Sequence, residues 1–360
     1  MKYFLILLTV IFLICFLLWF CIYVPKDSNF TGQKDFLIES GQSVEEISYN
    51  LEAQGFIRYG VFFRVYLLSQ DKAGEIKAGR YELSPKMNIP EIAKKIVSGD
   101  TIKKTITIIE GWNLRDIGWY FENQGMFLAE ELFEIVGFPE IDYSSTKDLP
   151  MPIDFSAEFD FLKDKPKNVG LEGYLFPDTY YISEQRTPKL LTASGQAASN
   201  KEEIENIVRK TLTNFGEKLN SDLRQEIIAQ NKTIFEIITI ASLIEKEVRT
   251  VEDKKIVSGI LGNRLEIGMP LQVDATIVYI TGEKSTGVSL EDLKVDSRFN
   301  TYKYKGLPLG PISNPGLESI LAAIYPEENG YFYYLSTPEG KTIFNKTLDG
   351  HNRDKAKYLK

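Results

Sequence analysis

The chain has 360 residues, of which 43% are hydrophobic and 26% are charged, a composition typical of folded proteins and not of disordered ones. Its 42 basic and 50 acidic residues give a net charge of −8, which argues against nucleic acid and anionic lipid as partners. The single histidine, His351, and two cysteines near the N-terminus leave little material for Ser-His-Asp, Cys-His or zinc chemistry.

The N-terminal segment is apolar from Tyr3 to Val24, which is long enough to cross a hydrocarbon core of roughly 30 Å. A secretory signal peptide is the alternative, but its apolar region is usually about 7–15 residues long and ends at a small-residue cleavage site. This run is longer and ends with Trp19-Phe20-Cys21-Ile22-Tyr23. We therefore expect residues 1–24 to be an uncleaved, single-pass anchor and residues 25–34 to be a linker.

The next hundred residues contain an internal repeat. Residues 39–56 align with residues 109–126 at an offset of 70, and a looser copy lies near residues 88–96. In each copy an N-cap residue stands three positions before an acid, as a capping box requires. These pairs are Ser43 with Glu46, Asn88 with Glu91, and Asn113 with Asp116. A short β-type stretch precedes each predicted helix.

This strand, turn and capped helix resembles the LysM-like modules of cell-wall proteins, which bind N-acetylglucosamine. The resemblance implies a LysM-like domain over residues 35–136; a βα packing module without sugar affinity is the alternative. Residues 137–170 are rich in Pro, Asp, Ser and Lys without a sustained period, so we expect a linker or surface insert there.

Two acids end a predicted apolar helix, Thr233 to Arg249. Glu245 and Glu247 are two positions apart, about 200° around a helix, so they should face nearly opposite ways and only one can address a given cleft. Burial of a carboxyl group favours its protonated form, which a general acid requires. The alternative is that both are solvated residues of the last turn.

The segment IASLIEKEV, followed by NRLEIGMPLQVDATIVY, resembles the core motif of the endolytic murein transglycosylases, the YceG-like family. This family cuts peptidoglycan strands internally, next to the inner membrane. Three further segments match in the same order: LEGYLFPDTYYI, FNTYKYKGLPLGPISNPG and FNKTLDGHN. Leu309 departs from the family, which commonly has a second proline there.

The resemblance implies an α+β fold, with an N-terminal transmembrane helix, LysM-like βα modules and a mixed catalytic domain over residues 171–360. Glu245 matches the family's catalytic glutamate. It would protonate the oxygen between N-acetylmuramic acid and N-acetylglucosamine and then accept the proton of the C6 hydroxyl, leaving a 1,6-anhydro end. The resemblance implies neither a cofactor nor a metal.

Polar residues beside Gly or Pro turns are further candidates for holding the substrate at a cleft rim. They are Glu172, Tyr174, Gln272, Asp274, Asn300, Thr301 and Tyr302. Each also has a structural alternative, such as an N-cap for Asp274 or a turn residue for Asn300.

The expected partners are peptidoglycan glycan strands and the membrane, with peptidoglycan synthases or divisome proteins as candidates. The expected location is the bacterial inner membrane, with the catalytic part outside the cytoplasm. Two other functions stay open. One is a non-catalytic peptidoglycan-binding scaffold, and the other is a muramidase that hydrolyses with Glu245 and either Asp274 or Glu172.

Overall fold

A computed structural model of the chain describes residues 2–39, 41–146, 148–183, 200–282 and 288–359. The described residues form two compact units, one of residues 2–106 with 180–183, and one of residues 107–179 with 200–282 and 288–359. Helices and short strands occur in both units, and an apolar helix stands at the N-terminus. The expected mixture of helices and strands is therefore confirmed.

The first unit begins with the apolar helix α1, Lys2–Tyr23, which is long and apolar enough to cross a membrane. The elements that follow are β1 (Lys34–Ile38), α2 (Val44–Ala53), α3 (Gly60–Ser69), β2 (Gly79–Leu83), α4 (Ile89–Ser98) and β3 (Lys103–Thr107). β1 pairs with β2 in an antiparallel register that sets Phe36 opposite Tyr81. β3 pairs with β4, Thr179–Ser183.

The predicted helix starts of the first half are confirmed. Each of the three predicted capping boxes is formed; in the first, the Ser43 N–H donates to Glu46 Oε2 at 2.8 Å and the Glu46 N–H donates to Ser43 Oγ at 3.2 Å. The two aligned copies also share a left-handed glycine before the helix, with φ of +82° at Gly41 and +78° at Gly111. Glycine is the residue that adopts this conformation without strain.

The second unit is mostly helical. Its elements are α5 (Leu114–Asn123), α6 (Ala129–Val136), a 3₁₀ turn (Asp160–Leu162), α7 (Lys201–Lys218), α8 (Ser221–Ala229), α9 (Ile234–Glu247), α10 (Val251–Glu266), α11 (Asp274–Thr281), a second 3₁₀ turn (Asp292–Lys294), α12 (Leu317–Ile324), β5 (Tyr333–Ser336), β6 (Thr342–Asn345) and α13 (Leu348–Tyr358). α9 packs against α8, α10, α11 and α12 and is buried from residue 237 to residue 244.

Residues 107–136, which the sequence places in the LysM-like half, belong to the second unit. Backbone hydrogen bonds hold them there: Gly111 N–H donates to Asn314 O at 2.9 Å, and Asn314 N–H donates to Trp112 O at 2.7 Å. Leu171 N–H also donates to Val136 O at 2.7 Å. The second copy of the repeat is thereby built into the unit that contains α9.

Candidate active site

α9 carries Glu245 and Glu247 in its last turn. Thr233 caps the helix in a capping box with Glu236, and the apolar residues that follow are buried, so the helix is anchored along its length. The helix ends at Glu247, because Val248 adopts an extended conformation with φ of −141°. The two glutamates thus occupy the last turn and face different neighbours, as their spacing predicts.

The Glu245 carboxylate is surrounded by donors from α10 and from the start of α12. Its Oε2 accepts the Gly316 N–H at 3.0 Å and the Ser319 hydroxyl at 2.6 Å. Its side chain is 10% exposed, so it is largely buried but not closed off from solvent. The N–H group at a helix start is suited to a negatively charged partner, so this position holds the carboxylate in a defined orientation.

Lys254 places a positive charge next to the Glu245 carboxylate. Its Nζ lies 3.5 Å from Glu245 Oε2 and 3.9 Å from Glu318 Oε2, and the residue is 3% exposed. A buried ammonium group is tolerated only when anionic groups compensate it. Glu245 and Lys254 are therefore a structural pair as well as members of the candidate site.

Glu110 faces the same point from the loop before α5. A Cβ added at Gly316 would lie 2.1 Å from Glu110 Oε1, so this oxygen rests against the Gly316 backbone whose N–H is bound to Glu245. Standard bond lengths then place oxygens of the two carboxylates no more than about 8 Å apart. Burial raises the pKa of Glu110, and the charges of Glu245 and Glu318 raise it further, while Lys254 acts in the opposite direction.

The sequence prediction did not include Glu110. In the aligned repeats, position 110 of the second copy corresponds to Ser40 of the first, so the repeat changes from serine to an acid beside an otherwise shared glycine. Packing of a βα module does not require a carboxylate there. That difference is the signal from which Glu110 could have been singled out.

Glu247 lies in a second cluster. Its Oε2 accepts the Tyr334 hydroxyl at 2.9 Å, and it is also bonded to the backbone N–H of Ala275. The pKa of Glu247 is raised to about 7, mainly by burial and also by the Asp274 carboxylate, against the lowering effects of Tyr334 and Arg264. Glu247 thus joins α9 to α11 and to the β5–β6 hairpin.

Four of the predicted substrate residues come together beside Glu247. Asp274 begins α11 and accepts the Tyr302 hydroxyl. Thr301 is buried, its hydroxyl accepts the Val273 N–H at 3.0 Å, and its carbonyl accepts the Gln272 N–H at 3.1 Å. Gln272 and Asp274 are exposed, so of this group they are the residues most open to a ligand.

The other three predicted substrate residues are buried. Asn300 donates to Leu293 O and Val295 O at 3.0 and 2.8 Å. Tyr174 packs against Phe161 and Phe215, and its hydroxyl has no hydrogen-bond partner among the described residues. In this structure both side chains support the fold beneath the surface.

Glu172 is also buried, 6% exposed, in a polar network below the Trp112 loop. Its oxygens accept the Leu114 N–H at 3.1 Å, the Tyr279 hydroxyl at 3.2 Å and the Asn314 amide at 3.2 Å. Burial raises the pKa of Glu172 to about 8. The network fixes the same loop that carries Glu110, because Asn314 also binds the Trp112 carbonyl at 2.9 Å.

The geometry can therefore support acid–base chemistry at one point, Gly316, where two carboxylates, a hydroxyl and a buried ammonium group meet. Within the described ranges, no group of three or more His, Cys, Asp or Glu side chains is arranged to hold a metal ion. Most glycosidases also use two carboxylates, which flank the scissile bond at separations of roughly 5–9.5 Å.

Comparisons with known proteins give the family. The model of the YceG-like family matches residues 36–357. An endolytic murein transglycosylase of Bacillus subtilis (strain 168) is 31% identical over 337 residues, which are 93% of this chain and 87% of that protein. A protein of the same name from Streptococcus pneumoniae (strain D39) is 30% identical over 349 residues, and the match spans 93% of this chain and 60% of that protein.

A solved structure agrees with these matches. The crystal structure of a yceG-like protein from Listeria monocytogenes aligns with a TM-score of 0.53 and 34% identity, covering 90% of this chain and 99% of that one. The family model and the relatives extend over both units of this chain. The chain therefore belongs to the YceG-like family.

Proposed function

We propose that this chain is a membrane-anchored endolytic transglycosylase that cleaves peptidoglycan strands at the bond between N-acetylmuramic acid and N-acetylglucosamine. The name of the Bacillus subtilis relative, matched over 93% of this chain, supports the activity. The observation that carries the assignment to a site is the Glu245 carboxylate, held at the end of a buried helix by Gly316 and Ser319. No cofactor enters this mechanism.

Glu245 performs both proton transfers. As an acid it donates its proton to the bridging oxygen, and the bond between that oxygen and C1 of N-acetylmuramic acid breaks. The C6 hydroxyl of the same sugar then attacks C1, and its proton passes to the Glu245 carboxylate. The product is a 1,6-anhydro end, and the glutamate returns to its starting state. Such proton transfers contribute roughly 10² to 10⁴ in rate.

Glu110 is the second carboxylate of the proposed site. Cleavage of a glycosidic bond passes through a positively charged, oxocarbenium-like state, which a nearby carboxylate stabilises. Glu110 lies against Gly316, whose N–H binds Glu245, and its side chain is partly open to solvent, so it can reach a sugar that Glu245 protonates. We assign it this electrostatic role.

The same pair of carboxylates also favours one alternative, a muramidase that activates water. Asp274 and Glu172, the partners expected from sequence for that reaction, lie elsewhere: Asp274 contacts Tyr302 beside Glu247, and Glu172 is buried. Glu110 would have to take their place. The chemical form of the new glycan end distinguishes hydrolysis from transglycosylation.

The membrane and glycan contacts are proposed on separate grounds. α1 supports a single-pass anchor, with the remainder outside the cytoplasm of a bacterial cell. The order β1-α2-α3-β2, with β1 antiparallel to β2, supports a LysM-like glycan-binding module in the first unit. Peptidoglycan synthases or divisome proteins are the partners we propose for a strand-cutting enzyme at the membrane.

Substitution of Glu245 tests the proposed site. Glu245→Gln keeps the side-chain size but cannot donate or accept the proton, so release of muropeptides from purified sacculi should fall by roughly 10²-fold or more. Glu266→Gln, at the exposed end of α10, is the matched control and should keep full activity. Equal release by Glu245→Gln and the unsubstituted protein would exclude Glu245 as the acid and would favour a binding scaffold.

A further inference from the structure

Helix α3 has an apolar surface on two sides. Gly60, Phe63 and Leu67 are buried in the core of the first unit. On another side, Val61, Val65 and Leu68 are 47%, 45% and 68% exposed. These three follow the i, i+4, i+7 spacing and so form one stripe along the helix. Arg64, three residues after Val61, borders this stripe and pairs with Glu45 at 3.1 Å. An exposed apolar stripe with a polar border indicates an interaction surface.

The last turn of α1 packs onto the same unit and lies beside the start of α3. Cys21 is 7% exposed, and Ile22 packs against the core of the first unit. Arg58, two residues before α3, donates to the Pro25 carbonyl at 2.9 Å, and its guanidinium lies 5.4 Å from the centre of the Phe20 ring. α1 also packs directly against α3.

These contacts continue beyond the helix. Asp27 N–H donates to Pro85 O at 3.0 Å, within the segment 25–34 that the sequence predicts to be a linker. The anchor is thus joined to the first unit by side-chain packing before Val24 and by hydrogen bonds after it. The direction of α1 fixes the direction of this unit.

The length of α1 determines how far its contact with the first unit lies from the centre of the bilayer. At 1.5 Å per residue its 22 residues span about 33 Å, close to the roughly 30 Å of a hydrocarbon core. Trp19 and Tyr23 stack at 6.3 Å and are exposed, as aromatic side chains at a membrane interface commonly are. The part of the first unit that packs against the last turn of α1 must therefore lie at the level of the membrane interface.

We propose that α3 is an interfacial helix whose stripe of Val61, Val65 and Leu68 inserts into the outer leaflet of the bilayer that α1 crosses. This inference rests on the anchor in the proposed function. The occupant is the acyl-chain boundary of the lipid, since the stripe is apolar and the helix that bears it packs against the proposed anchor α1. Anionic headgroups are not required, so zwitterionic lipid is sufficient.

Spin labels in the full-length chain test this placement. Cys15→Ala and Cys21→Ala remove the native thiols. Each variant then carries one new cysteine, either on the stripe at Val61, Val65 or Leu68, or at the reference positions Leu13 and Ile228. The labelled protein is placed in nanodiscs of phosphatidylcholine. Ile228, on α8 and 68% exposed like Leu68, is the matched apolar control in the second unit.

Accessibility to oxygen, which concentrates in lipid, is compared with accessibility to a water-soluble nickel chelate. We expect the oxygen-to-nickel ratio at Val65 and Leu68 to exceed that at Ile228 several-fold. Equal ratios at Leu68 and Ile228, with a high ratio at Leu13 in α1, would overturn the role of α3 and leave the anchor intact. A water-like ratio at Leu13 would overturn the anchor and this inference with it.

Discussion

The Glu110 carboxylate rests against Gly316, whose N–H binds Glu245, so it is placed to stabilise positive charge on a sugar bound between the two acids. Glu110→Gln removes that charge at nearly constant volume. We expect kcat to fall by roughly 10²-fold while KM changes little, because the charge is needed mainly in the transition state. Glu110→Asp should recover part of the loss. Initial rates on a defined glycan polymer measure both constants.

The pH profile gives a second readout of Glu110. Glu245, Glu318 and Lys254 face this group, and its pKa is raised by burial and by the two acids. In the proposed role Glu110 acts as the anion, so activity should be lost as the pH falls through its raised pKa, and Glu110→Gln should lack that acid limb. Glu134→Gln, exposed on α6, is the control. An unchanged acid limb in Glu110→Gln would refute the assignment.

Glu172 makes a prediction about stability. Its folded-state pKa of about 8 lies above the ordinary value of 4.5, because burial favours the neutral acid. Its contribution to the free energy of unfolding is complete below pH 4.5 and is lost as the pH rises towards 8. Glu172→Gln keeps the size and hydrogen-bonding capacity and cannot ionise.

Between pH 5 and pH 8, the free energy of unfolding of the unsubstituted protein, measured in urea, should therefore fall relative to that of Glu172→Gln by on the order of 3 kcal/mol. Glu134→Gln serves as the reference for an exposed glutamate. Parallel pH dependence of the Glu172 variant and the unsubstituted protein would show that Glu172 is not buried as a neutral acid.

At the scale of elements, the contact between the Glu110 loop and the start of α12 can be tested through Gly316. Its φ of −72° and ψ of 167° suit alanine, but an added Cβ would meet Glu110 Oε1 at 2.1 Å. Gly316→Ala should displace Glu110 and lower activity towards that of Glu110→Gln, with the free energy of unfolding changed by only about 1 kcal/mol.

A glycine with open space around an added Cβ provides the control for that substitution. Gly262 lies inside α10, where an added Cβ meets no atom within 4 Å. Gly262→Ala should therefore keep activity and raise the free energy of unfolding by about 1 kcal/mol, because alanine favours the helix. Full activity of Gly316→Ala would contradict the proposed closeness of Glu110 to the reacting sugar.

The sequence predicts several elements well, where the determining interactions are local. The helix starts at Ser43, Asn88 and Asn113 follow from capping boxes within four residues, and the opposed directions of Glu245 and Glu247 follow from helix geometry. β5 and β6 pair around Thr337-Pro338-Glu339-Gly340, a turn sequence that by itself favours a hairpin. In each case the cause lies within a short stretch of chain.

At the scale of the whole molecule, the candidate site depends on contacts that no local pattern contains. Gly111 and Asn314 are hydrogen-bonded although they are far apart in the chain, and this contact brings Glu110 to Glu245. Burial of Glu172 and Asn300 has the same origin, since a polar residue next to a turn is equally compatible with a cleft rim and with an internal network. The motif identifies Glu245 as a candidate, whereas only the structure shows that Glu110 lies near it.

In the proposed mechanism, the C6 hydroxyl of the substrate, and not water, displaces the departing sugar. The most direct test of this mechanism is mass spectrometry of the new glycan ends that the full-length protein releases from purified sacculi. Transglycosylation predicts 1,6-anhydro-N-acetylmuramic acid at those ends. Reducing ends, each heavier by one water molecule, would contradict it and would identify a hydrolase that uses Glu245 with Glu110.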